Sequence, residues 1–391
     1  MHILETYATS SGLRIDKPYI LKKYYPLDTD NYITLHIQSK PYKTYDHWQA
    51  VVDLILPHLE DREIDIVQVG GPNEKKIKGC KYHLQGSTTV NQVAYLIDNA
   101  VAHAGCDSFT SHMAGAFDKS SVILYPNCNL QNVEPYWGAN IENIEPQTDE
   151  KPSYTFEEFP KTINLIPPEK VAKAICEKLD IEFDFPYESI RIGSNFHMNT
   201  VEVIADRLVD PRDFQLDNLI IRNDIFPYEQ GLANQLNVCK CSIVTATPIS
   251  PSIIENYASR ILTIIYYVEG DDDPKFAEYL EKSGINYSLT SRLPEEELNK
   301  KKLNYMNLEK AAIIHSPIRG KEEIEELKDI DINNLYYMSA NTILSRGKAY
   351  ASKADVIIDD PIENFGEVKK VNDHPAFWEY IDNYLMLKKL D

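Results

Sequence analysis

Residues 101–127, VAHAGCDSFTSHMAGAFDKSSVILYPN, hold a complete strand–helix–strand unit. VAHAG reads as a short buried strand. SFTSHMAGAF reads as a helix that starts directly after Cys106-Asp107-Ser108, and SSVILYPN reads as the next strand. Working outward, NYITLHIQ (31–38) and IDIVQVGG (64–71) read as strands. YDHWQAVVDLILPHL (45–59), TTVNQVAYLIDNA (88–100) and PPEKVAKAICEKL (167–179) read as helices. Strands and helices that alternate in this way imply a parallel sheet covered on both faces. EFDFPYES (182–189) reads as a linker, and the second half begins again with further strand candidates: SIRIGS, TVEVIA, NLIIRND, CSIVTAT, ILTIIYYV, AAIIHSP, NLYYMS and ADVIID. YEQGLANQL, DPKFAEYLEKSG and GKEEIEELKDI read as helices between them. The expected architecture is α/β, two domains (1–185 and 186–391) facing a cleft.

Composition sets the outer bounds. A chain of 391 residues exceeds the size of one core, which favours two domains. Its net charge of −20 disfavours nucleic acid and anionic lipid as partners except at a locally basic site. The six cysteines form no C-x-x-C pair and read as reduced thiols of a cytoplasmic protein. Cys239 and Cys241 have no further ligand nearby in sequence, so no metal site is expected there. The start of the chain lacks a signal-peptide core and no apolar run is long enough to span a bilayer, so a soluble protein without a transmembrane segment is expected.

In open α/β sheets ligands gather at the carboxyl ends of the strands. The turn Asp107-Ser108 opens a helix whose first N–H groups and dipole favour phosphate, with Ser108, Thr110 and Ser111 as further donors and His112 within reach of the same anion. The loop after the first strand carries Lys40 and Lys43. The loop after the second carries Gly70, Gly71 and Glu74. One basic, one glycine-rich and one acidic group around a helix start suit a nucleotide diphosphate. Taken singly, each has a bland alternative as a cap, a solvated lysine or an ordinary turn.

The succession HIQSKPYKTYDHW, VQVGGPNEKK, LQGSTTVNQVAYLIDNAVAHAGCDSFTSHMAGAF and VILYPN resembles the donor-binding half of the family 9, heptosyltransferase-type glycosyltransferases, over roughly residues 20–179. The resemblance implies a GT-B arrangement of two Rossmann-like domains, a nucleotide-sugar donor, a glycan or glycolipid acceptor, and no cofactor or essential metal. It implies Lys43 on the donor phosphates, Glu74 on the ribose or base edge, Asp107 at the sugar or phosphate, and Ser108 and His112 with the helix start on the leaving diphosphate. Phe109 stands where the family has glycine. Only about thirty residues precede this half, so the family's acceptor half is absent from its usual place.

The second half is then expected to supply the acceptor side in swapped order. Asp224 or His197 serves as base and Arg222 as an anion contact in that reading. The alternative is a degenerate nucleotide- or sugar-binding module, or an assembly protein. EGDDDPKF (269–276) reads as a solvated loop and helix cap in preference to a metal site. HPAFWEYIDNYLMLKKL (374–390) reads as an amphipathic helix for core or interdomain packing, with a homodimer or membrane-surface contact as the second reading.

Overall fold

The computed structural model describes the chain except residues 150, 153–157, 159–160, 199, 215–217, 311, 365 and 391. It divides into two units, Met1–Ile192 with Leu390–Asp391 and Gly193–Lys389. The division falls a few residues beyond the expected 185/186.

In the first unit α1 (Ile3–Ser11) precedes β1 (Tyr32–His36), α2 (Trp48–Glu60), β2 (Asp65–Gln68), β3 (Tyr82–His83), α3 (Val90–Asn99), β4 (Ala102–Cys106), α4 (Phe109–Ala116), β5 (Ser121–Leu124), β6 (Ile141–Ile144), α5 (Pro168–Lys178) and β7 (Tyr187–Ile192). The sheet has the order β3-β2-β1-β4-β5-β6, parallel throughout. This is the doubly wound, Rossmann-like order. The chain winds outward from β1 to β3, then returns to place β4 on the other side of β1, so the winding reverses between β1 and β4.

Both faces of the sheet are covered, which explains why β1 and β4 are buried along their whole length. Ile33, Leu35 and Ile66 pack with Val51, Ile55 and Leu59 of α2 and with Val171 and Ile175 of α5. On the opposite face Val67 and Val69 pack with Val93, Leu96 and Ile97 of α3 and Ala114 of α4. Each such aliphatic side chain contributes about 1.5–3 kcal/mol when fully buried. Thr89 caps α3, accepting from the Gln92 N–H, and Gly115 lets α4 approach the Trp137 carbonyl and Pro135, where a Cβ would collide.

The second unit runs β8 (Thr200–Val203), β9 (Asn218–Arg222), α6 (Glu229–Val238), β10 (Lys240–Thr245), α7 (Pro251–Tyr257), β11 (Ile261–Tyr267), α8 (Pro274–Lys282), β12 (Tyr287–Ser291), α9 (Glu295–Lys302), β13 (Ile313–His315), β14 (Leu335–Ser339), β15 (Asn341–Ser345), β16 (Lys348–Tyr350), α10 (Lys353–Ile358), β17 (Lys369–Lys370), α11 (Pro375–Trp378) and β18 (Tyr384–Lys389). Its main sheet, ordered β13-β12-β11-β10-β9-β8-β15-β16, is parallel except for the β15–β16 hairpin. β14 pairs antiparallel with both β17 and β18.

Three expectations fail here, each for a local reason. ADVIID is helix α10, not a strand, because Ser352 caps it by accepting from the Asp355 N–H and this start signal outweighs the β-branched residues. GKEEIEELKDI makes only one 3-10 turn, Lys321–Glu323. The C-terminal segment is not one amphipathic helix. It breaks after α11 and continues as β18, whose Tyr384–Leu387 are buried. Phe377, Trp378 and Tyr384 pack inside this unit, which removes the helix face on which a homodimer contact was read. Asp273 accepts from the Lys275 N–H to cap α8, but the loop is not solvated as expected: the Asp272 carboxylate is buried between Lys301 and Tyr305.

Candidate functional site

The carboxyl ends of β1 and β4 lie side by side where the first sheet reverses its winding, and the residues singled out in the first unit collect there. Gly105 makes this possible: a Cβ at that position would stand 2.7 Å from the His36 carbonyl. Cys106 is buried and donates to the Ile37 carbonyl at 3.3 Å, fastening the end of β4 to the loop after β1. That loop brings Ser39 onto the Asp107 carbonyl at 2.6 Å. It also brings the Lys43 ammonium onto the Asp107 carboxylate.

Lys43 and Asp107 form the charged centre of the site. Burial works against the Lys43 charge, but the adjacent Asp107 more than offsets it and raises the Lys43 pKa. His112 stands one turn into α4 with Nε2 3.9 Å from Asp107. Burial lowers its pKa against the opposing pull of Asp107, and Lys43 adds to the lowering. A cation, a half-exposed imidazole and the first N–H groups of α4 thus share one corner of the sheet edge.

The Ser108 hydroxyl turns back into the sheet. His36 Nδ1 lies 2.9 Å from Ser108 Oγ and 3.0 Å from Thr110 Oγ1, and the two hydroxyl oxygens are 2.9 Å apart. On the other side of the ring His36 Nε2 is 3.4 Å from Glu74 Oε1. That carboxylate accepts from the Gly71 N–H at 2.6 Å, and its Oε2 is buried with no partner. Gly70 stands at φ +152°, a backbone conformation that favours glycine, and its lack of a Cβ leaves room for the Glu74 carboxylate. Phe109, 46% exposed, sets its ring edge-on to His36 with centroids 5.4 Å apart.

The structure therefore brings Lys43, Gly70, Gly71, Glu74, Asp107, Ser108 and His112 to one edge. It adds His36, which sequence reading passed over because a polar residue ending an apolar strand looks like an ordinary strand terminus. Behind it His103 is fully buried. Nδ1 meets Thr34 Oγ1 at 3.0 Å, and Nε2 has no partner. Burial, helped by His36, pushes the His103 pKa from 6.5 down to about 3. An unfolded chain then binds this proton below pH 6.5 while the folded chain refuses it until about pH 3, so stability present above pH 6.5 is lost as pH falls through that window. The expected loss is about 2 kcal/mol by pH 5. Urea midpoints of wild type and His103→Gln measured from pH 7.5 to 4.5 should converge as pH falls; parallel curves would refute it.

The second unit treats its candidates differently. Arg222 is buried and spends its guanidinium internally. Nε and Nη2 donate to the two Asp224 oxygens at 2.8 Å each, Nη1 pairs with Glu202, and Nη2 also meets the Tyr380 hydroxyl. Burial opposes the Arg222 charge, yet Glu202, Tyr380 and Asp224 together raise its pKa well above the ordinary value. The Asp224 carboxylate is only 1% exposed. Arg222 as a free anion contact and Asp224 as a proton acceptor are both corrected by this arrangement, since every atom they would use is already bonded. His197 lies in the turn before β8, half-buried.

Among the described residues no group of three or more His, Cys, Asp or Glu side chains is arranged to hold a metal ion. No helix among them is long and apolar enough to cross a membrane. No curated protein matches the chain. Among solved structures it is similar to a family 9 glycosyl transferase from Veillonella parvula, at 19% identity and TM-score 0.32 over 45% of this chain and 50% of that one. It is also similar to the E. coli ADP-heptose lps heptosyltransferase II, at 17% identity and TM-score 0.32 over 45% and 50%. A third is E. coli heptosyltransferase WaaC with ADP, at 17% identity and TM-score 0.31 over 44% and 54%. The chain thus spans about half the length of the solved structures it resembles. Residues 5–160, the stretch that carries all the edge groups of the first unit, match the model of glycosyltransferase family 9 (heptosyltransferase).

Proposed function

We propose that the first unit binds the nucleoside diphosphate of an activated sugar at the β1/β4 edge, and that the chain transfers this sugar to a hydroxyl of a glycan or glycolipid. The observation that carries the reading is the grouping of Lys43, Asp107, Ser108 and His112 around the start of α4, inside the stretch matched by the family. Lys43 and the α4 N–H groups receive the diphosphate. They stabilise the charge that grows on it as the bond to the anomeric carbon breaks. Glu74, beside the Gly70-Gly71 turn, meets the ribose or base edge in this reading once its buried Oε2 is uncovered. With Asp224 committed to Arg222, His197 is left as the acceptor base of the two groups read for that role. The site needs no metal in this reading, because Lys43 and the helix start supply the positive charge.

A second reading, a nucleotide-sugar-binding module without transfer, is favoured by the closure of the Arg222 cluster. Thermal shift with ADP, GDP, UDP and their sugar conjugates, paired with an assay for released diphosphate, separates the two. A bound nucleotide at 100 times Kd should stabilise the protein by about 2.7 kcal/mol. Ser108→Ala should weaken that binding. His197→Ala should retain it and lose turnover, and turnover should survive EDTA. Binding without turnover in the wild type would select the module, and absence of any nucleotide binding would remove both readings.

A further inference from the structure

The triangle formed by His36 Nδ1, Ser108 Oγ and Thr110 Oγ1 has sides of 2.9–3.0 Å, and the number of protons in it decides what Ser108 can offer outward. His36 is buried, and its Nε2 faces the Glu74 carboxylate, so in the neutral ring the single proton belongs on Nε2. Nδ1 then accepts from one hydroxyl and that oxygen accepts from the other. Both hydroxyl protons are consumed inside the triangle. Ser108, the partly exposed member, turns only lone pairs toward an incoming phosphate.

A second proton on His36 reverses this. Nδ1–H donates into the triangle, and the Ser108 hydroxyl proton is released to point outward. We propose that His36 is a positioning residue that couples diphosphate binding to proton uptake: the anion binds when His36 takes a proton from solvent and frees the Ser108 hydroxyl. The inference rests on the donor reading of this edge.

The groups facing His36 fit the proposal. Glu74, from the loop after β2, supplies a carboxylate to the charged ring. His103, from β4, stays neutral because burial holds its pKa near 3, so it adds no competing charge at neutral pH. Phe109, from α4, meets the ring edge-on. Asp107 precedes Ser108, and Lys43 occupies its carboxylate.

The test is isothermal titration calorimetry of ADP, GDP and UDP into the intact chain in PIPES and in Tris at the same pH, carrying forward the tightest binder. The buffer dependence of the enthalpy counts protons. Wild type should take up as much as about one proton more per nucleotide than His36→Gln, and its affinity should fall more steeply with rising pH than that of His36→Gln, by at most about tenfold per pH unit. His36→Gln should show only the nucleotide's own protonation and a flatter profile. Ser108→Ala, which keeps the imidazole, should also lose the uptake and serves if His36→Gln does not fold. Equal proton counts in wild type and either variant overturn the coupling while leaving the donor reading intact. No binding by any of the three nucleotides takes down the donor reading and the coupling with it.

Discussion

Arg222→Ala should cost the second unit about 3–5 kcal/mol, the range for stripping one partner from a buried ion cluster. Among the described residues the Arg222 guanidinium is the only cation paired with the Glu202 and Asp224 carboxylates, both almost fully buried, and the Tyr380 ring lies 4.8 Å from it. Alanine leaves two buried carboxylates without their cation, Glu202 keeping only the neutral Asn341 amide as a donor. The expected result is a fall in the urea midpoint of about 1–2 M. Arg222→Met combined with Glu202→Gln and Asp224→Asn removes the charges together, and should cost less than the single change although it alters three residues. If Arg222→Ala leaves the midpoint unchanged, the cluster does not hold the unit together, and Arg222 returns as a candidate for an external anion.

The same cluster shows where sequence reading stops. NLIIRND gives a strand with charged residues at its end, and that much is legible because apolar periodicity and strand ends are local. Whether Arg222 faces solvent, a ligand or another side chain depends on Glu202 and Tyr380, which lie 20 and 158 residues away in the chain. In the first unit the reverse holds. Lys43, Gly70, Glu74 and Asp107 each lie in the loop that follows a strand, and a parallel sheet necessarily gathers such loops at one edge. Their convergence was therefore readable, whereas the pairing of Lys43 with Asp107 and the bridge through His36 were not.

The C-terminal segment fails for a third reason. A short run such as YLMLKK fits helix and strand equally, and its pairing with β14, set by tertiary contact, chooses the strand. Phe109 stands where the resembled family has glycine. Its ring packs edge-on to His36 and is half exposed, a placement the sequence alone does not give.

Lys43→Ala should lower nucleoside diphosphate affinity by about a hundredfold or more, the largest effect expected at this site. Two losses combine. The charge-assisted contact from ammonium to phosphate contributes about 1.5–3 kcal/mol. In addition, the Asp107 carboxylate, 6% exposed and bonded to Lys43, is left as a bare negative charge beside the diphosphate. His112 cannot replace the cation, because burial lowers its pKa and its Nε2 stands 3.9 Å away. The two losses separate in a double-mutant cycle. Asp107→Asn alone should change affinity modestly, and Asp107→Asn placed on Lys43→Ala should recover part of the lost affinity by removing the uncompensated charge. The Kd values of the four proteins for the tightest of ADP, GDP and UDP, measured at low and at moderate salt, decide the matter. The Lys43→Ala defect should shrink as salt screens the exposed part of the repulsion. If Lys43→Ala binds as wild type does, the diphosphate does not lie at this ion pair, and the β1/β4 edge loses its assignment as the donor site.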